Sequence, residues 1–289
     1  MAERHHPQVG PQSAVINESR SSVVTLSGDG TRKRRAAQSI VDRLLRLQGS
    51  TPPRTRWERL LGRSPLGRNC EGLYQGALGE IAVGAWLKAL SSDWAVFHSL
   101  PLGLEGWDID HVLIGPGGIV TINTKHHRDA PIVVTHDEIS VDGQPVPYLR
   151  HSEFEAEYIN TLLQDRHQSS PPVHPTVVFV APREMLFTSI PSQVTVLDLT
   201  GLLTWLSALP VVLDQADQHA IVELFDNPAT WANAQVDVGD SLLERFEALE
   251  AEIRAARRQR TIRLPLESLL AICLTTTGVL VALALIPAQ

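Results

Sequence analysis

Asp108, Asp110 and His111 fall within one apolar run, DIDHVLIG, and Asn123 and Lys125 close the next, GIVTINTK. Successive side chains of a strand point to opposite faces, so Asn123 and Lys125 share a face, as do Asp108 and Asp110. The turn residues Gly115, Pro116 and Gly117 join the two runs, and a tight connection brings Asp110 beside the Asn123/Lys125 pair. A carboxylate next to a second metal-binding group and a lysine suits phosphodiester hydrolysis. The carboxylate holds a hard divalent cation through oxygen. The cation lowers the pKa of a bound water and neutralises phosphate charge. The lysine orients the nucleophile and offsets developing negative charge. Lys125 is one of only three lysines, with Lys33 and Lys88, among 25 Lys and Arg. A lysine ending an apolar strand in so arginine-rich a chain suggests that a compact point charge is wanted there. The plain alternative is a strand-end lysine snorkelling to solvent.

Neighbouring residues carry weaker signals. Adjacent strand residues face opposite ways, so His126 and His127 are not a chelating pair, although one of them, or His111, could line the cleft. Asp108 reads either as a second carboxylate or as the residue where the strand starts. Arg150 and Glu155 either face the cleft from the following helix or form a surface pair. The Gly115–Gly118 stretch lacks the helix opening and lysine of a phosphate loop and reads as a turn.

The elements that must position these residues follow from periodicity, and a short helix over 36–48 is expected ahead of them from the spacing of Ile40, Val41, Leu44, Leu45 and Leu47. Helical spacing covers 76–90, with Leu78, Ile81, Ala82, Ala85, Trp86 and Leu90 on one side. Strands are predicted at 94–100, 108–114, 118–125, 132–135 and 138–141, with Asp142-Gly143 as a hairpin signal. Helix 148–166 follows, then strands at 176–180 and 194–197, and helices at 199–206, 215–225 and 241–260. Strands and helices mixed in this order predict an α/β core.

Three pieces of this chain resemble the nuclease-related domain, NERD, of the PD-(D/E)XK restriction-endonuclease-like superfamily. They are GALGE at 76–80, WDIDHVLIGPGGIVTINTK at 107–125 and VPYLR at 146–150, and the resemblance covers roughly 72–164. The resemblance implies a restriction-endonuclease-like mixed sheet flanked by helices, and cleavage of nucleic acid, DNA rather than RNA, with Mg2+ or Mn2+. It implies that Asp110 is the central metal-binding aspartate and Lys125 the catalytic lysine. Glu80, on the first helix, supports or joins the metal site. The family pattern places Glu two residues before the lysine, where this chain has Asn123. An amide still offers a carbonyl oxygen but removes one negative charge from a site meant for a dication. The alternative is therefore a catalytically degenerate domain that binds nucleic acid or acts as a scaffold at the membrane.

Composition sets the outer limits. The chain has 289 residues and 43% hydrophobic content, enough for one sizeable core with appendages. Its net charge of −7 is unevenly spread, with a basic stretch up to Arg68 before an acidic body. Such an arm either touches phosphate or is simply a solvated tail. Cys70 and Cys273 are far apart, so neither a disulfide framework nor a structural zinc site is expected. Residues 1–30 are polar, and no secretory signal is expected. Leu269 to Ile286 carries no charge and follows Arg254, Arg257, Arg258, Arg260 and Arg263. That pattern predicts a transmembrane tail anchor with the domain in the cytoplasm; an apolar helix packed on the core of a soluble cytoplasmic protein is the alternative. The expected organisation is a disordered basic arm and linker over 1–68, a nuclease-related α/β domain over 69–235, a charged connector helix over 236–263 and a membrane anchor over 264–289. The connector's apolar side, Leu242, Leu243, Phe246, Leu249 and Ile253, either docks on the body or pairs with a second copy to form a homodimer.

Overall fold

The computed structural model describes residues 30–103, 107–167, 171–231 and 241–262. Helices α1 (Gln38–Gly49), α2 (Arg56–Leu60) and α3 (Glu71–Leu87) precede strands β1 (Ala95–Pro101), β2 (Asp108–Gly115) and β3 (Gly118–His126). The short strands β4 (Pro131–Val134), β5 (Ile139–Val141) and β6 (Gln144–Val146) lead into α4 (Tyr148–Arg166). Then come β7 (Val173–Val180), β8 (Glu184–Phe187), β9 (Thr195–Asp198), α5 (Leu202–Ser207) and α6 (Gln215–Asp226). Residues 241–262 form a last helix, α7.

The main sheet has the order β1-β2-β3-β7-β9. Its first three strands form an antiparallel meander, and β7 and β9 add in parallel to β3, so the sheet is mixed. Both faces are covered, which is why β2, β3 and β7 read as nearly continuous apolar runs. On one face Ile159 and Leu163 of α4 and Ile221 and Phe225 of α6 pack with Phe97, Val112, Ile114 and Ile119. On the other, Val83 and Leu87 of α3 and Leu202 and Leu206 of α5 pack with Leu113, Val120, Ile122 and Val178.

A second sheet, β6-β5-β4-β8, packs its Ile132, Val134 and Ile139 against Val177 and Phe179 of β7. Asp142 and Gly143, at φ 50° and 74°, make the tight β5–β6 turn that the sequence predicts. The strands β6 and β8 were not expected. Both are short: β6 contains Pro145, and three of the four β8 residues are exposed, so neither has an alternating pattern.

Within the stretch 1–68 expected as arm and linker, the chain is ordered from Thr31 onward, and α1 falls on the short helix expected over 36–48. Thr31 Oγ1 donates to the carbonyl of Phe225 at 2.5 Å, and the Arg32 N–H donates to Asp226 Oδ1 at 2.8 Å. Arg34 is buried, its Nε donating to the Ser99 carbonyl at 2.8 Å. Val41, Leu44 and Leu45 of α1 share one apolar cluster with Tyr74 and Ala77 of α3 and Phe246 and Ile253 of α7. The stripe predicted on the connector helix is thus used within the chain.

The membrane span is corrected. Among the described residues no helix is long and apolar enough to cross a membrane. The long helix α4 carries Glu153, Glu155, Glu157, Asp165 and Arg166, and α7 carries charge along most of its length. The stretch 264–289 on which the expectation rested lies outside the described residues. Of the arginines expected to flank a membrane, Arg254, Arg257, Arg258 and Arg260 sit on a helix docked to the body, so the described residues give no support for a membrane partner or a membrane-anchored location.

Candidate functional site

Pairing of β2 with β3 runs from Gly115–Gly118 to His111–Ile122. One residue further, Asp110 inserts its side chain into the ladder, its Oδ2 accepting from the Thr124 N–H at 2.6 Å. The carboxylate is thereby fixed against the end of β3, where Asn123 and Lys125 project toward α4. Asn123 Nδ2 donates to Glu155 Oε1 at 2.5 Å, and Lys125 Nζ lies 4.8 Å from the centre of the Tyr148 ring.

The other face of β3 meets α3. A Cβ at Gly79 would come within 2.8 Å of the His126 Cβ and 3.3 Å of Thr124 Cγ2, so the helix approaches the strand through a missing side chain. That approach places the next residue, Glu80, in the interior at 5% exposure. Its carboxylate feels the charges of Asp110, Asp108 and Lys125 and accepts from the Ala37 backbone N–H. The three sequence-predicted groups Glu80, Asp110 and Lys125 are therefore within electrostatic reach of one another.

Burial dominates the electrostatics. Desolvation pushes the Asp110 carboxyl up to about 7, with the nearby Lys125 pulling the other way. Desolvation, and then repulsion from Asp110, holds both Glu80 and Glu155 well above the ordinary carboxylate range. All three carboxyls are thus shifted toward the protonated form. Glu80 Oε2, Asn123 Oδ1 and Glu155 Oε2 are buried without a hydrogen-bond partner. Buried carboxyl and amide oxygens that meet no protein donor favour a proton or a cation at their positions.

Glu155 is the residue that sequence reasoning undervalued. The buried positions of α4 are Leu149, Ser152, Glu155, Ala156, Ile159 and Leu163. The helical stripe Leu149, Ala156, Ile159 and Leu163 carries the phase that points Glu155 inward, and this signal was present. Arg150, read with it as a pair, is exposed.

The remaining candidates separate. Asp108 is held by the N-terminal segment, through a hydrogen bond from Ser39 and the charge of Arg34. His111 points away from Asp110, its Nδ1 meeting His98 Nδ1 at 2.8 Å. His126 donates from Nδ1 to the Gln75 carbonyl at 2.9 Å. His127 stacks on Tyr148 and shares a 2.7 Å hydrogen bond with its hydroxyl, so of the three histidines it is the one on the Lys125 side.

A divalent cation was expected here, with Asp110, Glu80 and Asn123 as ligands. Among the described residues no group of three or more His, Cys, Asp or Glu converges closely enough to hold a metal ion. The unpaired oxygens fit a cation in kind, but the arrangement does not supply a ligand set. Asn123 contributes an amide and has its donor end committed to Glu155.

The fold and site define an α/β domain whose centre gathers carboxylates and a lysine at the end of two antiparallel strands. Residues 75–180 match the family model of the nuclease-related domain, NERD, and Glu80, Asp110, Asn123, Lys125 and Glu155 all lie inside that segment. No curated protein and no solved structure matches the chain.

Proposed function

We propose that the chain binds nucleic acid through its nuclease-related domain, with a centre that is a degenerate form of a phosphodiester-cleaving site. Asn123 carries this reading. It stands where a second metal-facing carboxylate would be needed, and its amide donates to Glu155 instead. A dication needs convergent anionic oxygen. Here burial shifts the nearby carboxyls toward their protonated, uncharged form.

The test uses labelled DNA duplex, DNA single strand and RNA, each with Mg2+, Mn2+ or EDTA. Binding without cleavage under every condition is the expected result. Metal-dependent cleavage that disappears in Asp110→Ala overturns the proposal. Absence of binding to all three nucleic acids overturns it as well.

The second reading is hydrolysis dependent on Mg2+ or Mn2+. The unpaired buried oxygens of Glu80, Asn123 and Glu155 favour it, since such acceptors are costly unless something positive meets them. Under that reading Glu155 and Glu80 give up their protons as the cation binds.

A further inference from the structure

Beyond Lys125 the chain leaves β3 through His126, His127 and Arg128, which form one wall of a cavity of about 380 Å³. Arg257, far along the chain, also lines it. Arg257 is a built feature of the cavity. Its guanidinium lies 5.7 Å from the centre of the Tyr74 ring, and its Nη2 is 3.8 Å from Glu71. The helix that carries it is seated by the buried Phe246, Ile253 and Ala256. Arg128 is exposed and makes no hydrogen bond or ion pair among the described residues.

Two arginines from separate elements thus line one concavity together with His126 and His127, and His127 and Lys125 both contact the Tyr148 ring. Guanidinium forks match the oxygens of a phosphate group, and Arg keeps its charge at any working pH. The acidic side chain on the rim is Asp142, in the β5–β6 turn. Arg258 and Arg260 are exposed on the same helix, whereas Arg254 is paired with Glu250 at 2.6 Å.

We infer that this cavity is a subsite for the phosphodiester backbone of nucleic acid, continuing the Lys125 site, and that α7 supplies its second cation. The inference rests on the nucleic-acid reading above and adds where the strand runs. It gives the arginine run of α7 a role in binding, from a helix that lies outside the 75–180 segment matched to the nuclease-related domain.

The experiment is binding of a short labelled DNA duplex by the full chain in EDTA, over a range of salt concentrations. Each phosphate contact that is lost lowers the slope of log K against log salt by about 0.9. Arg128→Ala and Arg257→Gln should each show that loss, whereas Arg257→Lys keeps the wild-type slope. Asp142→Asn should bind more tightly at low salt, by up to about fivefold for one opposing charge removed at close range. Asparagine suits the left-handed conformation of that turn, so this variant keeps the fold, and a damaged protein would not gain affinity. Unchanged slopes in both arginine variants, or unchanged affinity in Asp142→Asn, overturn the inference while the wild type still binds. A wild type that binds no duplex at any salt overturns the nucleic-acid reading itself.

Discussion

Replacing Asp110 by asparagine should flatten the pH dependence of stability. The Asp110 carboxyl sits at about 7 in the folded chain, against 3.8 when unperturbed, with desolvation as the leading cause. Between those values the folded chain holds a proton that the unfolded chain has released, so stability falls as pH rises through the window. Below 3.8 both states are protonated and the contribution vanishes. The whole window corresponds to about 4 kcal/mol, and the part between roughly pH 5 and pH 8 to about 2–3 kcal/mol. Asparagine does not titrate, and its carbonyl oxygen can still accept from the Thr124 N–H. Urea unfolding of both proteins in EDTA at the two pH values measures the difference directly. Wild type should lose about 2–3 kcal/mol more than Asp110→Asn on going from acid to alkaline buffer. Equal losses would mean that Asp110 is ionised like an exposed aspartate, and the reasoning from burial would be refuted. A loss in wild type that Mg2+ abolishes would show a cation taking the place of the proton.

Two further perturbations probe the surroundings. Asn123→Glu removes the donor to Glu155 Oε1 and sets two carboxyls against each other. Stability in EDTA should drop by about 1.5–3 kcal/mol for one lost hydrogen bond to an ionisable group. Mg2+ should raise its melting temperature more than that of wild type; a melt insensitive to Mg2+ would count against any cation position there. Phe246→Ala empties the space between α7, Tyr74 and α1. It should cost about 3–5 kcal/mol in a thermal or denaturant melt, and a cost near zero would mean that α7 is not part of the folded unit.

The centre of the site was legible because strand alternation and a tight turn are local rules. They placed Asn123 and Lys125 on one face and brought Asp110 to them. The hydrogen bond from Thr124 to Asp110 is a consequence of where pairing of β2 and β3 ends, which no local rule specifies. Glu155 was obscured because a charged residue on an amphipathic helix reads as solvent-facing by type, while the stripe around it places it inside by phase. The docking of the arm was hidden for a different reason. Thr31 and Arg34 are satisfied by the carbonyls of Phe225 and Ser99, acceptors far along the chain that composition does not reveal. The stripe on α7 was visible, but its partner, the Tyr74 face of α3, was not.

The exchange between Asn123 and Glu155 bears on how the centre should be understood. An amide on β3 removes one negative charge, and a buried carboxyl on α4 brings one back through a direct hydrogen bond. Glu80, Asp110 and Glu155 thus surround a region that holds one lysine, with unpaired oxygens on Glu80, Asn123 and Glu155. Three carboxyls cannot all ionise there without more positive charge than Lys125 provides, so protons and any added cation compete for the same oxygens. Acid conditions favour the protons and alkaline conditions the cation. The Asn123 amide weights this competition against a cation, because its donor end occupies one carboxyl oxygen of Glu155, even though the same hydrogen bond favours the ionised carboxylate. A centre so weighted can still present Lys125 and the neighbouring arginines to a phosphate backbone, since those charges do not depend on which partner the carboxyls hold.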